Sequence, residues 1–209
     1  LLKAAPLLGA VTQDAEGYYY AVTGKRNGSV NSSNADVSGK YDMSTQTVFI
    51  SKYTSQGVLI KTTGFDGNLG TSNTQNPFAA GNCSVAINEG VLVCSYARQM
   101  YNGHQGKDVI AVKTSDMSKT YNNSTLALWV SHSFDQRVIW YSKANSWLFA
   151  DQGDAYPRSF VADLMNKDSL KVTRSTIMEF KGKSGDNITN SQLGGIAETT
   201  KGAMFIGAA

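Results

Sequence analysis

The chain has 209 residues, enough for one domain with a sizeable core, and only 17% of them are charged. Its 19 basic and 16 acidic side chains leave a net charge of +3 with no basic run, which argues against a nucleic-acid partner. No apolar stretch approaches the roughly 18 residues that a membrane-spanning helix needs.

Asn, Ser, Thr and Gly abound and aromatic residues make up 10%, a mixture suited to short strands joined by turns. The first residues, Leu1 to Pro6, lack the long apolar centre of a signal peptide. The last, Gly202 to Ala209, run like an interrupted strand, so the expectation is a fragment of a longer protein. Strands are predicted at about 8–13, 17–23, 47–54 and 57–63, with Val48, Ile50 and the stem of Lys52 alternating against Phe49, Ser51 and Tyr53. A second group is predicted at 83–87, 91–97, 107–114 and 125–131. A third follows at 137–142, 146–151, 158–164 and 169–175, and a last pair at 194–199 and 202–207. No segment carries a sustained 3.6-residue apolar stripe, so helices should be nearly absent.

Gly9 to Gly17 and Gly194 to Gly202 read as the same object, a short apolar strand and a turn between two glycines. Cys83 to Cys94 and Arg137 to Phe149 are further hairpins of that kind, giving a recurrence of roughly 55 to 70 residues. This hairpin-plus-hairpin unit, with glycine at the start of the innermost strand, resembles a β-propeller blade. The resemblance is architectural. It implies an all-β fold, a partial β-propeller of four-stranded antiparallel blades with about three and a half blades in residues 1–209, one incomplete domain. The repeat units would span about 8–65, 81–131, 132–180 and 191–209. A closed ring takes roughly 4–8 blades, so the missing ones would come from the rest of a longer chain or from self-association. Glycine on the innermost strand would suit a wall with little room for a side chain.

Within a blade whose strands are lettered a to d outward, the b–c and d–a loops emerge on one face and the a–b and c–d turns on the other. The a–b turns are tight, whereas the b–c loops (Gly24–Gln46, Arg98–Gly106, Asp151–Pro157) and d–a loops (Gly64–Asn82, Ser131–Gln136, Lys181–Leu193) are long. Binding residues favour loops on a rigid scaffold. The candidate ligand-binding residues on that face are Tyr101, His104, Gln105, His132, Phe134, Asp135, Gln136, Asp151, Asp154, Tyr156 and Arg158. Aromatic rings among carboxylates, amides and a guanidinium suit a polyhydroxylated ligand, and Arg158 would alternatively clamp a carboxylate. Each has a plainer role: Asp151 and Asp154 in a turn around Gly153, Arg158 paired with one of them, the histidines as ordinary loop residues.

Three functions are consistent with these residues. One is a secreted or cell-surface module binding a glycan or protein through the b–c/d–a face. The alternative is a carbohydrate-active enzyme, a glycosidase or lyase, built on Asp135, Asp151 or Asp154 with a histidine assisting. The third is a structural module without a ligand. No cofactor is expected: metal-ligand spacings and glycine-rich phosphate loops are absent from the sequence, although His104 and His132 with Asp154 would be the set to test for a Zn²⁺-like ion. Export rests on the low lysine content and uncharged polar surface. The Asn-x-Ser/Thr sequons at Asn27, Asn31, Asn82, Asn122, Asn123 and Asn187 are as readily due to an Asn- and Ser-rich composition. Cys83 and Cys94 flank one hairpin and would face each other across a two-residue Asn88–Glu89 loop, either as packed thiols or as a cross-strand disulfide.

Overall fold

The alternating segments form antiparallel ladders in the computed structural model, which describes residues 7–25, 46–66, 68–69, 72–78, 82–100, 105–122, 133–153, 159–180 and 191–208. In blade 1, β1 (Leu7–Gln13), β2 (Tyr19–Gly24), β3 (Gln46–Tyr53) and β4 (Leu59–Asp66) pair in chain order. Next come β5 (Asn68–Leu69), β6 (Ser72–Pro77), β7 (Cys83–Asn88), β8 (Val91–Met100), β9 (Gln105–Lys113) and β10 (Lys119–Asn122). Blade 2 is β7–β8–β9–β10, with β6 continuing the innermost position along the far end of β8. Blade 3 is β11 (Ser133–Tyr141), β12 (Ser146–Gly153), β13 (Ser159–Asn166) and β14 (Val172–Glu179). A fourth inner hairpin joins β15 (Gln192–Thr199) to β16 (Gly202–Ala208).

The innermost strands β1, β7, β11 and β15 touch in succession. Among the described residues the fold is therefore all-β, an open partial β-propeller of three antiparallel blades, the second extended by β5 and β6, and a fourth inner hairpin. Among the described residues no α-helix occurs, and no helix is long and apolar enough to cross a membrane.

Period-2 patterning explains how the blades stack, because each middle strand is buried on both faces. On β8, Leu92, Cys94 and Tyr96 pack with Tyr20, Val22, Val48 and Ile50 of blade 1, while Val93 turns to blade 3. There Val93, Val109 and Ala111 meet Val138, Trp147, Phe149 and Met165. A smaller cluster of Ala150, Phe160 and Leu193, flanked by Phe180, Ile196 and Phe205, seats the fourth hairpin on blade 3.

Polar ties between blades recur at the repeat interval. Lys52 Nζ donates to the Thr114 carbonyl, Val138 N–H to Ser84 Oγ, and Ser142 Oγ to Glu198, at separations of 62, 54 and 56 residues. A contact one repeat away in sequence is what a blade makes with its neighbour.

The c–d turns share one form that the residues hide. Residues 54–58, 114–118 and 167–171 connect β3–β4, β9–β10 and β13–β14, equal in length. The fourth position of each has a positive φ: Gly57 at 80°, Met117 at 61° and Leu170 at 55°. Only Gly57 takes that conformation freely. Met117 is offset by burial of its side chain in the blade 1–blade 2 core, whereas Leu170 is exposed. Leu170→Gly should raise stability by about 0.5 kcal/mol, the left-handed strain relieved less the added chain entropy. A melting temperature unchanged or lowered would contradict it.

Three expectations are corrected. A strand at 119–122 follows a short turn and pairs outermost on blade 2; the predicted 125–131 lies outside the described residues. The expected loop 64–82 contains the end of β4 together with β5 and β6. The β7–β8 hairpin turns on Glu89–Gly90, with φ of 45° and 73°, one residue later than expected. A two-residue turn of this hand needs positive φ at both positions, and Gly90 takes it freely at the second, where the expected loop would have placed Glu89. Cys94 consequently opposes Val85, and Cys83 opposes Tyr96.

Glycine in the innermost strand is required at one position of the pair first compared. A Cβ on Gly9 would lie 2.7 Å from the Phe78 ring and 2.9 Å from Cys83 Sγ, whereas one on Gly194 would meet only the Ile206 carbonyl oxygen, at 3.5 Å, an ordinary contact.

Candidate functional site

Of the candidate residues, Tyr101, His104, His132, Asp154, Tyr156 and Arg158 lie outside the described residues. The others stand on strands, which corrects the expected loop boundaries. Gln105 opens β9 opposite Gln99, and Phe134 lies in β11 opposite Gln152. Asp151 is within β12, opposite Val161 of β13. Polar Asp-Gln-Gly runs read as turns in sequence, but ion pairing lets them continue a buried ladder.

Asp135 and Gln136 form a bulge in β11, where the register jumps between Phe134 and Arg137. Asp135 adopts φ 54°, the left-handed conformation that Asp tolerates better than most residues. The bulge re-aims its carboxylate toward two neighbouring units. Asn82 Nδ2 donates to Asp135 Oδ1 at 3.0 Å, and the Leu193 N–H donates to Oδ2 at 3.1 Å. One carboxylate thus ties the residue before β7 to the start of β15. Gln136 beside it is fully buried.

Asp151 belongs to a buried charge network that the sequence reading missed. Lys107 of blade 2 is fully buried and reaches across to blade 3, 2.6 Å from Asp151 Oδ2 and 2.9 Å from Asp163 Oδ2. Arg174 holds Asp163 in a two-pronged bond, Nε to Oδ1 at 2.7 Å and Nη2 to Oδ2 at 2.9 Å. Burial pushes the Asp163 carboxyl up, but the Arg174 hydrogen bonds and the Lys107 charge outweigh it and hold it below the usual carboxylate value. The Lys107 ammonium also sits 5.4 Å from the centre of the Phe149 ring.

A second pair lies on the other side of blade 2. Arg98 Nε is 3.1 Å from Asp108 Oδ2, both side chains nearly fully buried, and the Tyr96 hydroxyl donates to the same carboxylate at 3.3 Å. The signal was present in the sequence. Arg98 is in phase with Leu92, Cys94 and Tyr96, and Lys107 with Val109 and Ala111, so the alternation places a charge where a core residue belongs.

The described carboxylates of the expected face are thus engaged within the fold. Asp135→Ala should lower stability by about 1–3 kcal/mol, because it orphans the Leu193 N–H and the Asn82 amide. Hydrogen exchange should accelerate most in β15. Equal exchange in wild type and variant would remove Asp135 from this role.

Two concavities lined by described residues lie on the opposite, a–b/c–d face. One of about 400 Å³ between blades 2 and 3 is lined by Asn88, Glu89, Val91, Trp147, Lys167 and Leu170. Lys167, the cation lining it, is already paired with Glu89 at 2.9 Å and Asp168 at 3.3 Å. Another of about 310 Å³ between blades 1 and 2 includes Asp14, Glu16 and Glu89. Asp14 caps its own turn, accepting from Glu16 N, Tyr18 N and the Tyr20 hydroxyl. Burial, and then the Asp14 hydrogen bond, raise that hydroxyl's pKa. Among the described residues no three His, Cys, Asp or Glu side chains gather as a metal site. No protein-family model matches the chain, and no curated protein matches it.

Proposed function

We propose that the chain is a ligand-binding propeller module, secreted or at a cell surface, that takes a glycan or a protein on its b–c/d–a face. The observation carrying this reading is where the buried charges lie. Arg98, Lys107 and Asp108 brace the ends of β8 and β9, and Asp151 the end of β12, the strand ends from which two b–c connections leave. Rigid roots of that kind are what a binding face needs to hold its connections in register. The carbohydrate-active alternative is weakened at two of its carboxylates. Asp151 is ion-paired and buried, and Asp135 accepts two structural hydrogen bonds, so neither is poised to exchange a proton with a substrate. Further blades, from more of the polypeptide or from another copy, complete the ring in this reading. An extracellular location accompanies it on composition alone.

Glycan-array binding and turnover of aryl glycosides, run side by side on the same preparation, test the proposal. Retention without turnover is expected. Tyr101→Ala and Arg158→Ala should reduce retention at least about tenfold, the weight of one anchoring contact, while Lys167→Ala on the opposite face leaves it unchanged. Turnover that Asp154→Asn abolishes would instead select the enzyme. Loss of retention in Lys167→Ala alone would move binding to the groove between blades 2 and 3.

A further inference from the structure

We infer that Cys83 and Cys94 form a reversible dithiol–disulfide pair, a redox modification site on the inner hairpin of blade 2 that a low-molecular-weight disulfide closes. The inference stands independently of the ligand reading. Both side chains lie on the hairpin face toward blade 1, where Cys94 belongs to the core and Cys83 packs against it. Their Sγ atoms are 3.5 Å apart, and both are thiols. The bare backbone of Gly9 lies beside Cys83 Sγ, so close that a Cβ there would stand 2.9 Å from it, which limits the swing of Cys83 away from Cys94.

The two thiols are unequal in the way stepwise exchange requires. Cys83 is partly exposed and Cys94 fully buried. Burial, followed by the hydrogen bond and charge of Cys83, pushes the Cys94 thiol well above its ordinary pKa, so Cys94 is a poor first nucleophile. The Cys83 thiolate attacks one sulfur of the oxidant, its S–S bond breaks, and one thiol leaves with the released proton. Cys94, as its thiolate, then attacks Cys83 Sγ and expels the second thiol. One small disulfide is reduced to two thiols while two protein thiols are oxidised to one disulfide, and electrons and protons balance.

The register sets the character of that bond. Cys83 opposes Tyr96 and Cys94 opposes Val85, so the pair is diagonal across the strands. Diagonal cross-strand neighbours stand about 7–8 Å apart at Cα, near or beyond the upper end of what a disulfide spans. The first part of β7 must therefore shift inward to close it. Among the described residues β7, as the innermost strand, shares a ladder with β8 alone, so the move breaks no second ladder. A bond made under such constraint is readily reduced, which is the property of a regulatory disulfide.

The test is intact mass after incubating the reduced, folded protein with oxidised glutathione, followed by alkylation with iodoacetamide in denaturant. A monomer lighter by two hydrogens, without alkylation, and restored by dithiothreitol is the expected product. Cys94→Ser should retain one glutathione on Cys83, and Cys83→Ser should acquire none while folded. A wild type that keeps a glutathione, couples two copies, or remains alkylated at both cysteines overturns the pair.

Discussion

Lys107→Met should lower the unfolding free energy by about 3–5 kcal/mol, the usual result of removing one partner from a buried ion pair. Two carboxylates lose a cation at once, but they are not equally exposed to the loss. Asp163 keeps its two-pronged bond to Arg174, whereas Asp151 loses its 2.6 Å contact with the Lys107 ammonium. Adding Asp151→Leu to Lys107→Met should recover much of the stability, because a buried carboxylate is removed together with its cation. Urea denaturation followed by tryptophan fluorescence reads both. A single variant within 1 kcal/mol of wild type would mean that the network does not hold blades 2 and 3 together. The same network sets an acid limit. With the Asp163 pKa lowered in the folded state, its contribution is fully present above the unfolded value near 4. It is lost as pH falls through the lower folded pKa. Stability of the wild type should therefore drop below about pH 4, and Asp163→Asn should flatten that drop.

Phe149→Ala is the second large effect, again about 3–5 kcal/mol. The ring is fully buried between the blades, with Val93, Val109, Val138, Trp147 and Met165 around it, so truncation leaves a cavity that two rigid sheets cannot collapse to fill. Val11→Ala is the contrast. Val11 is equally apolar but 57% exposed on the free face of blade 1, and its loss should stay within about 0.5 kcal/mol. Similar midpoints for the two variants would show that the interface between blades 2 and 3 carries little of the stability.

Much of the fold was legible because strand patterning is local. The alternation of Val48, Ile50 and Lys52 against Phe49, Ser51 and Tyr53 placed β3 and its buried Lys52 stem, and the repeated hairpins placed the four inner strand pairs. The c–d turn was legible only at Gly57. In the other blades Met117 and Leu170 hold the same left-handed position, and no propensity marks either residue for it.

The candidate site divides along the same line. Asp135, Gln136 and Asp151 were singled out as loop residues of the b–c/d–a face, and they stand instead within β11 and β12. Their partners, Asn82 and Leu193 for Asp135 and Lys107 for Asp151, are a repeat or so away along the chain. By itself the sequence determined an all-β chain of repeated antiparallel hairpins, since alternation and turn residues are properties of neighbouring positions. Only the tertiary structure decided which partners the buried charges meet and which carboxylates tie blade to blade. Each of these depends on what the adjacent blade or strand presents across the interface, and no local pattern carries that information.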